Sequence, residues 1–454
     1  MSEYFSLSDC DVIGFDLDHT LCRYHLKETS RLIYDSFTRY LVEHRDYDKD
    51  LLALTPATWD FCFKGLVVDL EDGNLVKLAE DGTVLRATHG TTNLSTEEII
   101  KHYSPNREWK HFNSLNTSFT RSTQYYFYDN YFDLPGALLC GSVVDMLRKV
   151  KYFWKDIVAA IDHNYNTSAF KEDAGWYFPS VKRDPGRYLQ PCSDSVKAWL
   201  RSMKSAGKVL LLITSSHSDY CRLICDHILG KDWEELFDVI ITNALKPGFF
   251  SLVPQQRPFK TLVNDVEESE GLPSLDKPGW YSQGNWPHLH ELLKTMTGKP
   301  EPKVVYFGDS MRSDMFPAST FGKWETVMIV EEMEGEGVQW SDAAKTNEAH
   351  VEPQEKKGKF EKNKLSPSAP SEQWGSYFVD AHKTDGDDEE SQKLTWCCHS
   401  IHKYSTMAIP SVESIADLPL DYKFPRFSPN KPCTTGYYPR PPDSLLRKCQ
   451  SQLS

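Results

Sequence analysis

The sequence predicts an α/β fold in which a doubly wound, mainly parallel sheet carries an inserted α+β domain. The first observation is a series of short apolar runs, typical of buried parallel strands, that alternate with helical patterns. The second is that several of these runs end directly at polar or charged side chains. The third is a long stretch of different patterning that separates the first run from the others. The predicted strands of the sheet lie at residues 12–15, 209–213, 238–242, 303–307 and 324–330.

Length, charge and cysteine content narrow the class of protein. The chain has 454 residues, enough for two domains, and its formal net charge of -14 disfavours non-specific binding to nucleic acid or an anionic membrane. We expect no secretory signal, since no basic region precedes an apolar stretch, and no spanning segment, since no apolar run approaches about 18 residues. Eleven scattered cysteines favour reduced thiols and a cytoplasmic location. The sequence leaves homo-oligomerisation open.

The change in patterning predicts how the chain divides. Residues 1–44 supply the first strand and helix of the core, and 45–190 form an inserted cap domain. The core resumes over 191–331 with the remaining strands and helices. The polar segment 332–372, rich in Glu, Lys, Ser and Pro, predicts a disordered linker. The last part, 373–454, is a C-terminal extension that packs on the core or stays partly loose.

Within these divisions the local patterns predict the individual elements. Apolar spacing over 28–44 predicts a helix. Short strands joined by Asp-Gly turns over 65–87 predict an antiparallel meander, followed by a mostly helical stretch at 94–165. Residues 166–191 are predicted to be irregular. Residues 251–285 of the core are predicted to form a flap or long loop.

Chemically competent side chains follow four of the predicted strands. In open α/β sheets, ligands bind just past the carboxyl ends of the strands, so these side chains are predicted to share one cleft. A set of acidic, hydroxyl and lysine side chains at the ends of four predicted strands is poorly explained by chance. The set consists of Asp16, Asp18, Thr214, Lys246, Asp309 and Asp314.

Each residue type in this set suits one task in phosphoryl transfer. A carboxylate such as Asp16 can attack phosphorus, and a second, Asp18, can protonate the leaving alkoxide and later activate water. The hydroxyl and the lysine of the set can hold the phosphate oxygens that are not transferred. Asp309 can complete an oxygen ligand set for Mg²⁺. Asp314 is predicted to orient Lys246 or a metal-bound water.

The same motifs resemble those of the haloacid dehalogenase superfamily: Asp16-Leu-Asp-His-Thr20, Thr214, Lys246, and Gly308-Asp309 with Asp314. More narrowly, stretches such as Gly65-Leu-Val-Val-Asp-Leu and Lys246-Pro-Gly-Phe-Phe250 resemble the cytosolic purine 5'-nucleotidase family. The resemblance covers residues 10–330 and implies a Rossmann-type core with a cap.

The resemblance also implies roles for individual residues. It implies that Asp16 is the nucleophile and Asp18 the general acid and base. It implies a Mg²⁺ ion held by the side chains of Asp16 and Asp309 and by the backbone carbonyl of Asp18. For phosphate binding it implies Thr214, Ser215 and Lys246.

Two residues of the inserted domain are predicted to contact the substrate. The segment 156–162 resembles a family helix in which an arginine and an aspartate face the nucleoside. Asp162 matches the aspartate, whereas Val158 stands at the arginine position. In the aromatic cluster at 125–132, most of which we interpret as core, Phe132 is the residue predicted to stack on a base.

The favoured hypothesis is a Mg²⁺-dependent phosphomonoesterase acting on a small phosphate ester, a nucleoside 5'-monophosphate. A non-catalytic binding or scaffold protein with the same fold is one alternative. A phosphatase or phosphotransferase of another small phosphorylated metabolite is the other. The complete set of six polar residues argues against the scaffold, because a protein relieved of catalysis needs no such set.

Overall fold

The chain folds into two compact units in the computed structural model, which describes residues 2–53, 56–147, 153–338, 367–382 and 391–451. The first unit contains Met1–His25, Asp184–Val330 and Ile401–Pro439. The second unit contains Leu26–Arg183, Glu331–Ser400 and Arg440–Ser454. Both units are therefore assembled from segments that are distant along the chain.

An eight-stranded sheet forms the centre of the first unit. In chain order its strands are β1 (Val12–Phe15), β2 (Val209–Ile213), β3 (Val239–Thr242), β4 (Phe259–Lys260), β5 (Gly279–Gln283), β6 (Val304–Gly308), β7 (Glu325–Ile329) and β8 (Met407–Ile409). Across the sheet they run β4-β5-β3-β2-β1-β6-β7-β8. Every neighbouring pair is parallel except β4 with β5. The predicted fold class, an α/β protein with a mainly parallel sheet, is confirmed.

The central strand β1 is covered on both faces, which explains its apolar sequence. Phe15 packs edge-on against Trp199 of the helix Asp194–Ser205, with ring centroids 5.6 Å apart. The preceding residue, Gly14, faces the other side of the sheet because side chains alternate along a strand. A Cβ at Gly14 would lie 3.2 Å from the ring of Tyr306 in β6. The glycine thus leaves room for this tyrosine, whose hydroxyl takes part in the site described below.

Short helices and small strand pairs complete the first unit. Its helix Asp194–Ser205 is capped by the Ser193 hydroxyl, which accepts a hydrogen bond from the backbone of Val196 at 3.2 Å. The other helices are Pro185–Tyr188, Ser218–Leu229, Gly248–Ser251, Trp286–Thr297 and Phe316–Thr320, with a π-helical turn at Met311–Met315 and 3-10 turns at Leu7–Asp9, Trp233–Leu236, Pro254–Gln256 and Val412–Ser414. The strand pairs are Tyr4–Phe5 with Phe424–Pro425, Arg23–Tyr24 with Leu189–Gln190, and Leu262–Val263 with Val266–Glu267.

The second unit is built on a five-stranded antiparallel sheet, which contains the predicted meander. Its strands are Val67–Asp69, Asn74–Leu78, Val84–His89, Thr92–Asn93 and Tyr125–Phe127. The helices of this unit are Leu26–His44, Pro56–Trp59, Thr96–Tyr103, Phe112–Ser118, Leu134–Met146, Phe153–Tyr165, Ala169–Glu172, Tyr177–Arg183, Glu332–Gly335 and Asp443–Ser451, with a 3-10 turn at Lys49–Leu52. A hairpin of Val379–His382 and Ser391–Leu394 follows, and the helix Trp396–Tyr404 leads back to the first unit.

Three stretches differ from the elements predicted for them. Strand β5 lies inside the stretch 251–285 that was predicted to be a flap or long loop. The sequence did not indicate this strand, because Gly279-Trp-Tyr-Ser-Gln lacks an apolar run and is only partly buried near the sheet edge. Strand Tyr125–Phe127 interrupts the stretch predicted to be mostly helical, where it pairs with Val67–Asp69. The stretch predicted to be irregular, 166–191, contains three short helices and a two-residue strand.

The division into units also differs from the predicted domain boundaries. The helix Leu26–His44, predicted as core, groups with the second unit. Its apolar face explains this grouping, since the Phe37 ring packs edge-on against Tyr165 at 5.6 Å and the Tyr34 hydroxyl donates to the Leu51 carbonyl at 2.9 Å. The structure moves the boundary to residue 25 because these partners all lie in the inserted segment.

The polar segment predicted as a disordered linker is only partly described. Residues 339–366 lie outside the described residues, as do 148–152 in the predicted apolar helical stretch. At the start of the segment, Glu332 and Met333 are buried in the helix Glu332–Gly335. Glu332 forms an ion pair with the buried Lys64 at 2.5 Å, which explains why this short polar stretch is ordered.

The C-terminal extension divides between the two units. Strand β8 and the residues around it belong to the first unit, and Trp374 is buried in the second. There, Asp380 accepts from the buried Lys77 at 2.8 Å and from Arg86 at 2.9 Å. Within the residues the structure describes, no helix is both long and apolar enough to cross a membrane.

Candidate active site

The carboxyl ends of four sheet strands meet around the side chain of Lys246. Asp16 follows β1, Asp314 lies after β6, and the loop after β3 carries Lys246 itself. The Lys246 Nζ lies 3.0 Å from Asp16 Oδ1 and 2.8 Å from Asp314 Oδ1. Asp16 lies 230 positions from Lys246 in the sequence, and Asp314 lies 68 positions from it. One ammonium group therefore joins segments that are distant along the chain.

The ammonium group of Lys246 is buried and surrounded by acceptors. Besides the two carboxylates, it donates to the Ile213 carbonyl at 2.9 Å and the Tyr306 hydroxyl at 2.6 Å. Burial alone would lower the pKa of Lys246, but the charges of Asp16 and Asp314 outweigh it, so the pKa lies above its ordinary value. Lys246 is thus held as a cation beside the predicted nucleophile.

Asp314 can lie close to this lysine because a neighbouring position, Gly308, has no side chain. Its Oδ1 also accepts from the Tyr306 hydroxyl at 3.0 Å. Burial and the neighbouring Asp16 raise the pKa of Asp314 to about 6, although Lys246 opposes the shift. A Cβ on Gly308 would lie only 2.5 Å from Asp314 Cβ, so this close approach requires glycine at position 308.

The loop after β3 is shaped so that Lys246 points into the site. Its residues Asn243 and Leu245 both adopt positive φ, at 45° and 49°. The guanidinium of Arg257 donates to the Asn243 carbonyl at 2.9 Å, and the backbone N–H of Lys246 donates to Ser215 Oγ at 3.1 Å. The loop is therefore tied both to the segment that follows it and to the end of β2.

The end of β2 supplies two hydroxyl groups of different exposure. Thr214 is fully buried, and its Oγ1 accepts from the backbone N–H of Ser216 at 3.1 Å. Ser215 is exposed. Since Ser215 Oγ accepts from the Lys246 backbone, its own proton can be donated to an oxygen of a bound anion.

Asp18 is held by two hydroxyl groups. Its Oδ1 accepts from Tyr24 at 2.5 Å and its Oδ2 from Ser216 at 2.7 Å. Tyr24 also contacts the hydroxyl of Tyr220 at 2.9 Å. Burial raises the pKa of Asp18 above its ordinary value, although both hydrogen bonds oppose the shift. A raised pKa suits a group that must carry a proton in one step and accept it in another.

Three buried carboxylates could hold a divalent cation. Asp16, Asp309 and Asp314 each offer an oxygen, and these oxygens lie within 4.8 Å of one another. Together with Asp18, the site has four carboxyl groups beside the ammonium group of Lys246. Hard oxygen donors and excess negative charge fit Mg²⁺, which is commonly bound by one or two carboxylates and a substrate phosphate.

The structure brings together seven of the sequence-predicted site residues, all in the first unit: Asp16, Asp18, Thr214, Ser215, Lys246, Asp309 and Asp314. Phe132 and Asp162 belong to the second unit, and their contact with substrate stays a prediction. Phe132 is half-buried, with its ring edge-on to Tyr165 and Tyr177 at 6.0 Å each. Asp162 is exposed on the helix Phe153–Tyr165.

Sequence reasoning missed three hydroxyl groups of the site, those of Tyr24, Ser216 and Tyr306. One signal was available, because Tyr306 interrupts an otherwise apolar strand and a buried tyrosine hydroxyl needs a hydrogen-bond partner. The other two belong to no pattern that would single them out.

A doubly wound sheet with this lysine-bridged set of carboxylates defines the class as a phosphatase-type hydrolase. The model of the 5' nucleotidase family matches residues 1–408. The chain is 61% identical over 449 residues to 5'-nucleotidase domain-containing protein 1 of Homo sapiens, covering 97% of each chain. Identity and coverage are the same for the protein of that name from Bos taurus. The chain belongs to the 5'-nucleotidase family.

Solved structures show a weaker likeness. A predicted phosphoglycolate phosphatase from Haemophilus somnus matches with 13% identity and a TM-score of 0.25, covering 71% of this chain and 85% of that one. This overlap is too low to support any statement about the site.

Proposed function

We propose that the protein is a Mg²⁺-dependent phosphomonoesterase that hydrolyses a nucleoside 5'-monophosphate through an aspartyl-phosphate on Asp16. The observation that carries the proposal is the position of Lys246 Nζ, 3.0 Å from Asp16 and 2.8 Å from Asp314. A lysine fixed in this way prepares one carboxylate for attack and offers positive charge to the incoming phosphate. A protein that only binds partners has no use for this arrangement.

In the first half of the reaction, Asp16 attacks phosphorus. Its Oδ1 accepts from Lys246, which leaves Oδ2 to form the new bond. The bond between phosphorus and the ester oxygen breaks, and Asp18 donates its proton to that oxygen as the alcohol leaves. Ser215 and Lys246 stabilise the charge on the remaining phosphate oxygens.

In the second half, water replaces Asp16 on phosphorus. Asp18, now ionised, takes a proton from the water as its oxygen bonds to phosphorus. The bond between Asp16 and phosphorus breaks, inorganic phosphate is released, and both carboxyl groups return to their starting states. The raised pKa of Asp18 suits this role, because the proton is gained and lost again in each cycle.

The metal would be held by the side chains of Asp16 and Asp309 and by the backbone carbonyl of Asp18, with Asp314 beside them. When bound, Mg²⁺ would offset the negative charge of the carboxylates and of the phosphate. The donor set of three buried carboxylates within 4.8 Å supports this assignment.

The nucleotide is proposed from family membership and from relatives named 5'-nucleotidase domain-containing protein 1. Phe132 would stack on the base and Asp162 would contact the nucleoside. The exposed Val158 occupies the position where an arginine would be expected, so recognition of the base would differ from that of a purine-specific enzyme. We propose a cytoplasmic location, since all eleven cysteines are thiols. The seven residues of the site in the first unit all come from one chain.

The test is phosphate release from a panel of nucleoside monophosphates and sugar phosphates, with Mg²⁺ and with EDTA. We expect turnover of nucleotides that EDTA abolishes. Asp16→Asn should remove turnover because an amide is a poor nucleophile, whereas Asp421→Asn, an exposed position in the same unit, should not. No turnover of any ester by the Mg²⁺-loaded protein would favour a binding protein, and turnover of sugar phosphates alone would exclude a nucleotidase.

A further inference from the structure

We propose that Tyr24, supported by Tyr220, is a positioning residue that aims the Asp18 carboxyl group at the ester oxygen and then at water. The inference rests on the proposed function, in which Asp18 transfers a proton in both halves of the reaction. It assigns a task to two tyrosines that lie outside the predicted catalytic set.

Both tyrosines are fixed by the fold of the first unit. Tyr24 is 1% exposed and lies in the strand Arg23–Tyr24, which pairs with Leu189–Gln190. Its backbone carbonyl accepts from the Gln190 side chain at 3.0 Å, and its ring lies 4.6 Å from that of His19. Tyr220 is 3% exposed and lies in the first turn of the helix Ser218–Leu229. Both rings are therefore buried within the unit.

The hydrogen bonds among these groups have only one consistent direction when Asp18 is ionised. Each tyrosine hydroxyl has a single proton, and the carboxylate can only accept. Tyr24 therefore donates to Asp18 Oδ1, at 2.5 Å, and cannot donate to Tyr220. Tyr220 must then donate to the Tyr24 oxygen, at 2.9 Å. A hydroxyl that accepts one hydrogen bond becomes a stronger donor for the next, so Tyr220 strengthens the contact of Tyr24 with Asp18.

Asp18 needs this support because of its own flexibility. The terminal torsion of an aspartate side chain has a broad, shallow preference and does not fix the carboxyl plane. Here Tyr24 anchors one oxygen and Ser216 the other, from different parts of the chain. The plane of the carboxyl group is thereby set from both sides. Without Tyr24 one anchor is lost, and the group can turn about the remaining contact with Ser216.

The test compares Tyr24→Phe with the wild type on two esters that differ in their need for an acid. Cleavage of a nucleoside monophosphate needs a proton for its alkoxide, whereas dinitrophenolate leaves from dinitrophenyl phosphate without one. We expect kcat on the nucleotide to fall about 100-fold, the scale that a misplaced catalytic group costs, with little change in KM. The burst of dinitrophenolate in the first turnover should keep its wild-type rate.

Two further variants separate this role from general damage to the fold. Tyr220→Phe should shift the ratio of the two rates in the same direction by a smaller factor, since the contact of Tyr24 with Asp18 remains. Tyr281→Phe is the matched control, because the hydroxyl of this tyrosine of the same unit donates to the Lys277 carbonyl, at 2.6 Å, and not to a residue of the site. Equal loss on both esters, or no loss on the nucleotide, would overturn the inference.

A crystal structure of Tyr24→Phe decides the question independently of turnover. We expect the Asp18 carboxyl group to have rotated away from its wild-type plane. An unrotated Asp18, still 2.7 Å from Ser216, would overturn the positioning role even if activity fell. If the wild-type protein hydrolyses neither ester, the proposed function fails, and this structural comparison still shows whether Tyr24 orients Asp18.

Discussion

Gly308→Ala tests whether a missing side chain is what allows Asp314 to reach Lys246. The new Cβ would lie 2.5 Å from Asp314 Cβ and 2.6 Å from both Cγ and Oδ2. Ordinary contact begins near 3.4 Å, so Asp314 or β6 must move by about 0.9 Å. A shift of that size would lengthen the 2.8 Å contact between Asp314 and Lys246 beyond hydrogen-bonding range.

The expected consequences are two and can be measured separately. Overpacking of this kind typically costs about 1–3 kcal/mol of the free energy of unfolding. Displacement of Asp314 from Lys246 should lower kcat about 100-fold, since the lysine loses a partner that holds it in place and catalysis depends on ångström-scale placement. Urea unfolding measures the first effect, and phosphate release from the best substrate of the panel measures the second.

Gly186→Ala is the control for the glycine substitution. A Cβ at this position meets nothing closer than His227 at 3.8 Å, and its φ is not in the left-handed region. This variant should keep both wild-type stability and wild-type activity. Wild-type behaviour of Gly308→Ala would refute the reasoning, because it would mean that Asp314 does not depend on a bare backbone at position 308.

Three further predictions concern stability. Asp380→Ala should lower the free energy of unfolding, measured with urea, by about 3–5 kcal/mol, because Lys77 would stay buried without its carboxylate partner. The control Lys393→Ala breaks a half-exposed ion pair with Asp81 and should lower it by less than about 1 kcal/mol. Burial outweighs the attraction of Asp380 and lowers the pKa of Lys77 from 10.5 to about 8. At pH values between these two pKa values, Lys77 is therefore protonated in the unfolded chain and neutral in the folded chain. The free energy of unfolding should therefore rise with pH in this window relative to Lys77→Met, and parallel pH profiles would contradict the shift. Mg²⁺ at about 100 times its Kd should raise the free energy of unfolding of the wild type by about 2.7 kcal/mol, measured by thermal unfolding. Asp309→Ala should show no such increase. An equal increase in both proteins would mean that the ion binds elsewhere.

The sequence predicted the strands that position the site better than the strands that complete the sheet. Strands β1, β2 and β3 are apolar because both of their faces are covered, and that pattern is visible without a structure. Strand β5 is not apolar, because it lies near an edge and needs burial less. Strand β8, only three residues long, becomes a strand through pairing with β7. Pairing between distant segments leaves no local trace in the sequence.

A similar limit applies to the site. Asp16, Asp18 and Lys246 could be singled out because charged residues within four positions of the end of an apolar strand are conspicuous. Tyr24 and Tyr220 could not, since buried tyrosines are ordinary core residues and their hydroxyl contacts depend on the tertiary fold. The grouping of helix Leu26–His44 with the second unit could not be predicted either, because an apolar helix face does not indicate which segment packs against it.

The late position of β8 has a consequence for biosynthesis. Until Met407–Ile409 leaves the ribosome, the nascent chain exposes the unpaired backbone of β7 at the border of an otherwise complete sheet. Such a border attracts other extended segments, including those of neighbouring nascent chains. Residues 436–438 then pair with β8 in turn, because the Ala408 N–H donates to the Gly436 carbonyl and the Ala408 carbonyl accepts from the Tyr438 N–H. Nonsense mutations between Asp314 and Met407 should therefore yield aggregating products rather than smaller working enzymes, even though every side chain of the candidate site has been translated.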